Sequence, residues 1–147
     1  MSSIEENKAL GSRLLEVWNA RDFEAAEALF AEDYVNHNPP PMPGIGGDRA
    51  GQLKAMRYLA EAFPDARAEQ NNVIAEGDTI VLHDTIRGTH QGEFIGIEPT
   101  GREVRIEFIH IFRIADGRIA ERWGLIDAMS LMGQLGALPE PAPATTA

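Results

Sequence analysis

The segment 103–127 constrains the fold more than any other part of the chain, because its pattern is that of one long β-hairpin. Along residues 104–114 the side chains alternate with a period of two, which is typical of a strand. One side of this strand carries Ile106, Phe108, His110 and Phe112. The pair Asp116-Gly117 tolerates positive φ at both positions and therefore predicts a tight turn.

The return strand is predicted over residues 118–127, and it brings a second ionisable group into an apolar strand face. Strict alternation would place Ile119, Glu121, Trp123, Leu125 and Asp127 on a common side. Asp127 and His110 are therefore the candidate catalytic pair, with Asp127 as a general acid/base and His110 as a hydrogen-bond donor to a substrate oxygen or as the base itself. The simpler alternatives are a helix N-cap for Asp127 and a satisfied core position for His110.

Composition narrows the classes of function. The chain has no Cys, which excludes disulfides and thiolate chemistry. The four His show no metal-binding spacing, so we expect no metal ion. A formal charge of −10 opposes binding to nucleic acid or to anionic membranes. The polar N-terminus lacks the features of a signal peptide, and no apolar run is long enough to span a membrane, so we expect a cytoplasmic protein.

The order of elements predicts an α+β fold. Helical periodicity and caps indicate three helices in the first half, with a short extended piece near residues 33–38. Four longer strands and a short helix at residues 128–135 follow. We expect helices on one face of an antiparallel sheet; if that sheet curves, the helices lie on its concave face and the space between becomes a cavity. Residues 1–138 then form one domain, and the Pro/Ala/Thr-rich residues 139–147 are predicted to be a disordered tail.

The Pro/Gly-rich segment 39–47 is neither helix nor central strand, and it is predicted to be a loop at the mouth of the cavity. It follows two candidate substrate-binding residues, Tyr34 and His37. The other candidates are Trp18, Phe108 and Trp123, whose rings suit an apolar or aromatic metabolite. For Trp18 a plain core position is the alternative, and for His37 a surface turn.

Several segments resemble the SnoaL-like polyketide cyclase family, also called ester cyclases. They are YVNHNPP (34–40), AFPD (62–65), GTHQGEFIGIEPTGREV (88–104), HIFRIADGRIAERW (110–123) and DAMSLMGQLGA (127–137). The resemblance implies a cone-shaped α+β barrel, shared with ketosteroid isomerase and scytalone dehydratase, with a cofactor-independent site inside the cone. It also implies ring closure by intramolecular aldol addition, driven by a carboxylate acid/base.

One position departs from the family pattern, in which the acid/base aspartate directly follows the tryptophan of the last strand. Gly124 occupies that position here, and the nearest carboxylate along the strand is that of Asp127. Asp127 shares the strand parity of Trp123, while Gly124 does not. Either a bulge changes the parity or the chemistry has moved to another residue.

Three hypotheses follow. The first is a cofactor-free cyclase, lyase or isomerase that moves a proton in an apolar cavity. The second is a non-catalytic module that binds an apolar metabolite in the same cone, and the third is a structural dimer whose interior is filled with side chains. Ile109 and Ile111 on the outer sheet face also suggest a homodimer, which sedimentation analysis would test.

Overall fold

The computed structural model of the protein describes residues 3–138, and all structural statements below concern that range. The helices are α1 (Ile4–Asn19), α2 (Phe23–Ala28), α3 (Arg49–Ala62) and α4 (Ala128–Gln134). The strands are β1 (Phe30–Asn36), β2 (Arg67–Glu76), β3 (Thr79–Thr89), β4 (Glu103–Ala115) and β5 (Arg118–Ile126). The predicted disordered tail, residues 139–147, lies outside the described residues.

The five strands form one curved, unclosed sheet in the order β1-β5-β4-β3-β2, and the helices pack against it. The predicted α+β architecture is therefore confirmed. Strands β2 to β5 are antiparallel, as expected for successive hairpins, whereas β1 runs parallel to β5, with Phe30 opposite Ile119. This parallel edge joins segments that are far apart in the chain, so no local pattern could have predicted it.

Side-chain caps mark the starts of the helices. The Ser3 hydroxyl accepts a hydrogen bond from the Glu6 N–H at the start of α1, and the Asp48 carboxylate caps α3. Both helices present apolar stripes to the sheet. Helix α4 is followed by Gly136 with a φ of 73°, the left-handed conformation expected just after a helix.

The hairpin between β4 and β5 is confirmed. Its turn residues Asp116 and Gly117 have φ values of 51° and 73°, which suit a tight turn between right-handed twisted strands. On the inner face of β4 and the neighbouring β3, apolar side chains alternate with exposed ones and form the centre of the core. Its most deeply buried members include Ile80, Leu82, Ile106 and Phe112, which pack with Phe30 and Phe63.

A β-bulge in the return strand changes which side chains face the helices. Ile114 pairs with Ile119, but Arg113 pairs with Glu121, so Ala120 is an extra residue in β5. The expectation of one common side from Ile119 to Asp127 is therefore wrong. Ile119 faces the core, and beyond the bulge the inward positions of β5 are Arg122, Gly124 and Ile126.

The outer face of the sheet is partly apolar and exposed. It includes Ile109, Ile111, Trp123 and Leu125, whose exposed fractions range from 39% to 74%. The homodimer predicted from this face remains a prediction. Within residues 3–138, no helix combines the length and the apolar character that a membrane crossing requires.

Two isoleucines on adjacent strands test the position of the core. We expect Ile80→Ala, at a fully buried position, to lower the free energy of unfolding by about 2–5 kcal/mol, because it leaves a cavity. The matched substitution Ile74→Ala, at a position that is 63% exposed, should cost less than about 1 kcal/mol. Urea unfolding measures both, and equal costs would contradict the assignment of the inner face.

Candidate active site

A cavity of about 390 Å³ lies between the inner face of the sheet and the helices. Most side chains in its lining are apolar and come from α1, α3, α4 and the strands; they include Leu14, Trp18, Met56, Phe108 and Leu131. Pro39, Pro40, Pro41 and Met42 also line it, which agrees with the predicted place of that segment beside the cavity. Side chains therefore do not fill the interior, contrary to the third hypothesis.

Three polar residues from three adjacent strands meet at the wall of this cavity. They are Asp84 on β3, His110 on β4 and Arg122 on β5. His110 Nε2 lies 3.5 Å from Asp84 Oδ2 on one side, and on the other side Arg122 Nε donates a hydrogen bond of 3.0 Å to His110 Nδ1. The imidazole ring thus lies between the guanidinium and the carboxylate.

The hydrogen bond from Arg122 fixes the protonation of His110. Because a guanidinium only donates, Nδ1 must carry the lone pair, and a neutral ring then carries its proton on Nε2. Burial, and secondarily the charge of Arg122, lower the pKa of His110 to about 3, so the ring is neutral at physiological pH. Its Nε2–H points to the Asp84 side, where 3.5 Å is too long for a strong hydrogen bond.

Asp84 is the buried carboxyl group of the site. Its side chain is 7% exposed, and Oδ1 has no hydrogen-bond partner among the described residues. Burial raises the pKa of Asp84 to about 7, and the nearby His83 opposes this rise only in part. A carboxyl group of this pKa can both accept and return a proton near neutral pH.

A polar network supports Arg122 from β1 and α3. Arg122 Nη1 donates to Asn36 Oδ1 at 3.1 Å and to the Asn38 carbonyl oxygen at 3.4 Å. Asn36 Nδ2 and the Tyr34 hydroxyl in turn donate to Gln52 Oε1, at 3.4 Å and 2.9 Å. This network holds the guanidinium against His110, while its Nη2 makes no hydrogen bond with the described residues.

Gly124 is the residue that allows Arg122 to occupy this place. A Cβ at position 124 would overlap with the guanidinium carbon and nitrogens of Arg122. An aspartate at this position and Arg122 in its present conformation therefore exclude each other. A bulge does change the parity of β5, so position 124 faces the cavity. That position is Gly124, which carries no carboxylate.

The structure brings together only some of the predicted site residues. His110, Trp18 and Phe108 line the cavity, whereas Tyr34 is buried behind Gln52. Asp127 is exposed, and its Oδ1 accepts a hydrogen bond of 3.2 Å from the Ser130 N–H, as the alternative N-cap role requires.

His37 and Trp123 are not in the lining of the cavity. Their rings stack with centroids 4.7 Å apart, beside Glu121 on the outer side of β5. The bulge is the physical reason, because it turns Trp123 away from the helices.

Sequence reasoning missed Asp84, Arg122 and Gln52. A signal for Asp84 was present, since it alternates with Leu82 and Ile86 on the apolar side of β3. Arg122 had no such signal, because strict alternation places it on the outer face. Within residues 3–138, no three His, Asp or Glu side chains converge as metal ligands would.

Comparison with known proteins agrees with this architecture. The chain matches the model of the SnoaL-like polyketide cyclase family over residues 8–135. The protein belongs to the SnoaL-like polyketide cyclase family. A curated relative, aklanonic acid methyl ester cyclase AcmA of Streptomyces galilaeus, is 25% identical over 97% of this chain and 96% of its own.

Solved structures of the family have the same fold. IdmH of Streptomyces antibioticus, a proposed polyketide cyclase, is 33% identical, covers 88% of this chain and 98% of its own, and superposes with a TM-score of 0.77. AclR of Streptomyces galilaeus, a proposed hydroxylase, is 32% identical over 96% of this chain and 91% of its own, with a TM-score of 0.82. A shared fold does not specify a reaction, so the residues of the site must decide it.

The contact between Gly124 and Arg122 gives a testable consequence. We expect Gly124→Ala to displace the guanidinium from His110, which costs about 1–3 kcal/mol of stability by overpacking. The pKa of His110 should rise, because part of what lowers it is the nearby Arg122 charge. NMR titration of the ring measures this shift. Gly133→Ala is the control, since its Cβ would meet only Leu138 Cδ1 at 3.7 Å, and an unchanged His110 titration in Gly124→Ala would contradict the assignment.

Proposed function

We propose that the protein is a cofactor-independent cyclase of polyketide-type carbonyl compounds, with Asp84 as the acid/base. The observation that supports this most directly is the buried Asp84 carboxyl group, which lines the cavity, has a pKa raised to about 7 and leaves Oδ1 without a partner among residues 3–138. Carboxyl groups tuned in this way are typical of acid/base sites. Family membership makes a cyclase the leading reaction class.

The proposed reaction is an intramolecular aldol addition. Asp84 takes a proton from the carbon beside a carbonyl group, which breaks a C–H bond and leaves an enolate. The enolate carbon attacks a second carbonyl carbon of the same molecule and forms the new C–C bond. The resulting alkoxide takes the proton back from Asp84, so the enzyme is restored and no external reactant is consumed.

His110 serves in this proposal as the donor to the carbonyl oxygen beside the carbon that loses its proton. Its Nε2–H lies next to Asp84 and has no strong acceptor in the described part of the chain, so it is available to an enolate oxygen. A neutral imidazole donates without contributing a net charge that would hold Asp84 ionised. Arg122 is a positioning residue for this step, because it fixes the tautomer of His110.

The apolar lining supports an apolar or aromatic substrate. Trp18 and Phe108 offer ring faces on which a flat molecule can stack, and the cavity of about 390 Å³ lies within the range of small-molecule sites. Exclusion of water there would strengthen the hydrogen bond from His110 and protect the enolate from protonation by solvent.

A non-catalytic binding module remains the second candidate. Gly124 favours it, since the carboxylate of the family pattern is absent from that position. The two candidates differ in whether Asp84 exchanges protons with a bound ketone, which binding alone does not require.

Substitution of the proposed base tests the assignment. We expect Asp84→Asn to lower turnover by about 10²- to 10⁴-fold, because an amide cannot accept the proton. Asp127→Asn, at the exposed helix cap, is the matched control and should retain turnover. The assay follows ring closure of aklanonic acid and its methyl ester by chromatography. A parallel assay follows deuterium exchange beside the carbonyl of 1-tetralone by NMR. Full activity of Asp84→Asn would contradict its assignment as the base. Loss of activity in Asp127→Asn alone would return that role to Asp127.

The pH dependence gives an independent test. Only the ionised Asp84 is a base, so we expect the exchange rate to increase as pH rises through about 7 and then to level off. The titratable or charged groups around Asp84 are His83 on the same strand, His110 on β4 and Arg122 beyond the His110 ring. His110 stays neutral over this range, since its pKa is about 3. The rate in Asp84→Asn supplies the background, and a profile flat from pH 5 to 9 after its subtraction would be inconsistent with this base.

A further inference from the structure

Arg122 is a buried cation without an anionic partner. The residue is 8% exposed, and all its hydrogen-bond acceptors are neutral: His110 Nδ1, Asn36 Oδ1 and the Asn38 carbonyl oxygen. It takes part in no ion pair among the described residues. A buried charge is costly unless an opposite charge pairs with it, so this arrangement is incomplete in electrostatic terms.

The neighbouring acids do not complete it. Asp84 lies on the far side of the His110 ring and cannot contact the guanidinium directly. Tyr34 is buried, its hydroxyl donates to Gln52, and burial raises the pKa of this phenol, so it remains neutral. At position 124, where the family pattern places an aspartate, Gly124 leaves room for the guanidinium and supplies no charge.

Arg122 nevertheless faces the cavity. It is part of the lining, and Nη2 is free of hydrogen bonds to the described residues, so one edge of the guanidinium is available to a bound molecule. Gln52 is also part of the lining and is linked to Arg122 through Asn36. It uses only Oε1 in its bonds to Tyr34 and Asn36, which leaves its Nε2 amide as a second donor. Two donors of this kind suit a carboxylate.

We propose that the substrate carries its own negative charge, as a free carboxylate that binds Arg122 Nη2 with Gln52 Nε2, while its carbonyl group lies at His110 and Asp84. The proposal deepens the proposed function and depends on it for the position of the reacting carbon. A substrate with a free carboxylate would differ from the methyl ester for which the relative AcmA is named. The missing aspartate at position 124 and the unpaired arginine then have one explanation, since the counter-ion comes with the ligand.

A matched pair of ligands tests this: anthraquinone-2-carboxylate and its methyl ester, measured by titration calorimetry. We expect the acid to bind the wild-type protein about ten- to a hundredfold more tightly than the ester, as for a hydrogen bond to a charged group. The chain's formal charge of −10 acts in the opposite direction, so a preference for the acid would have a local origin.

Variants then locate the source of the preference. Arg122→Gln should remove the preference for the acid, so that acid and ester bind the variant with affinities within about threefold of each other. Both ligands share any loss at His110, so the ratio reports on the carboxylate alone, and circular dichroism shows whether the variant is folded. Arg122→Lys should retain part of the preference, because it keeps the charge. Arg113→Gln is the control: Arg113 pairs with Glu121 at 3.4 Å on the outer face, and its loss should change neither affinity.

The outcomes are separable from those of the catalytic test. Equal affinities for acid and ester in the wild-type protein, or a preference for the acid that survives Arg122→Gln, would overturn the carboxylate site. Loss of the preference in Arg113→Gln as well would also overturn it, since the cause would then be the overall charge. Deuterium exchange in Asp84→Asn reports on the base independently of these affinities.

Discussion

The hydrogen bond from Arg122 Nε to His110 Nδ1 is the interaction on which the site depends. It selects the tautomer of His110 and so aims Nε2–H at the Asp84 side of the cavity wall. It also brings a positive charge close to the ring, which adds to burial in keeping His110 neutral. Without this bond the ring could take either tautomer, and the donor beside Asp84 would be lost.

Two backbone features make that bond possible. The extra residue Ala120 in β5 turns Arg122 toward the helices, and Gly124 leaves the space that the guanidinium fills. The parallel pairing of β1 with β5 then brings Asn36 within 3.1 Å of Arg122 Nη1. The polar wall of the cavity is thus a consequence of sheet geometry, and each contact restricts the conformations open to the guanidinium.

Much of the fold could be predicted because its signals are local. Alternation along β4, the Asp116-Gly117 turn and the helix caps all depend on residues a few positions apart. Within the site, His110 was identified for the same reason, since β4 is regular around it. The catalytic role predicted for Asp127 depends on strict alternation along β5, which the bulge interrupts. In the structure Asp127 lies at the exposed N-cap of α4.

The sequence by itself determined the α+β class, the order of elements and the inner face of β3 and β4, because period-two patterns and turn residues specify these directly. Only the tertiary structure decided which polar groups meet. A one-residue bulge moves every side chain beyond it to the opposite face of the sheet, and the sequence of β5 contains no signal that predicts this bulge. The cluster of Asp84, His110 and Arg122 joins three strands. Burial raises the pKa of Asp84 and lowers the pKa of His110.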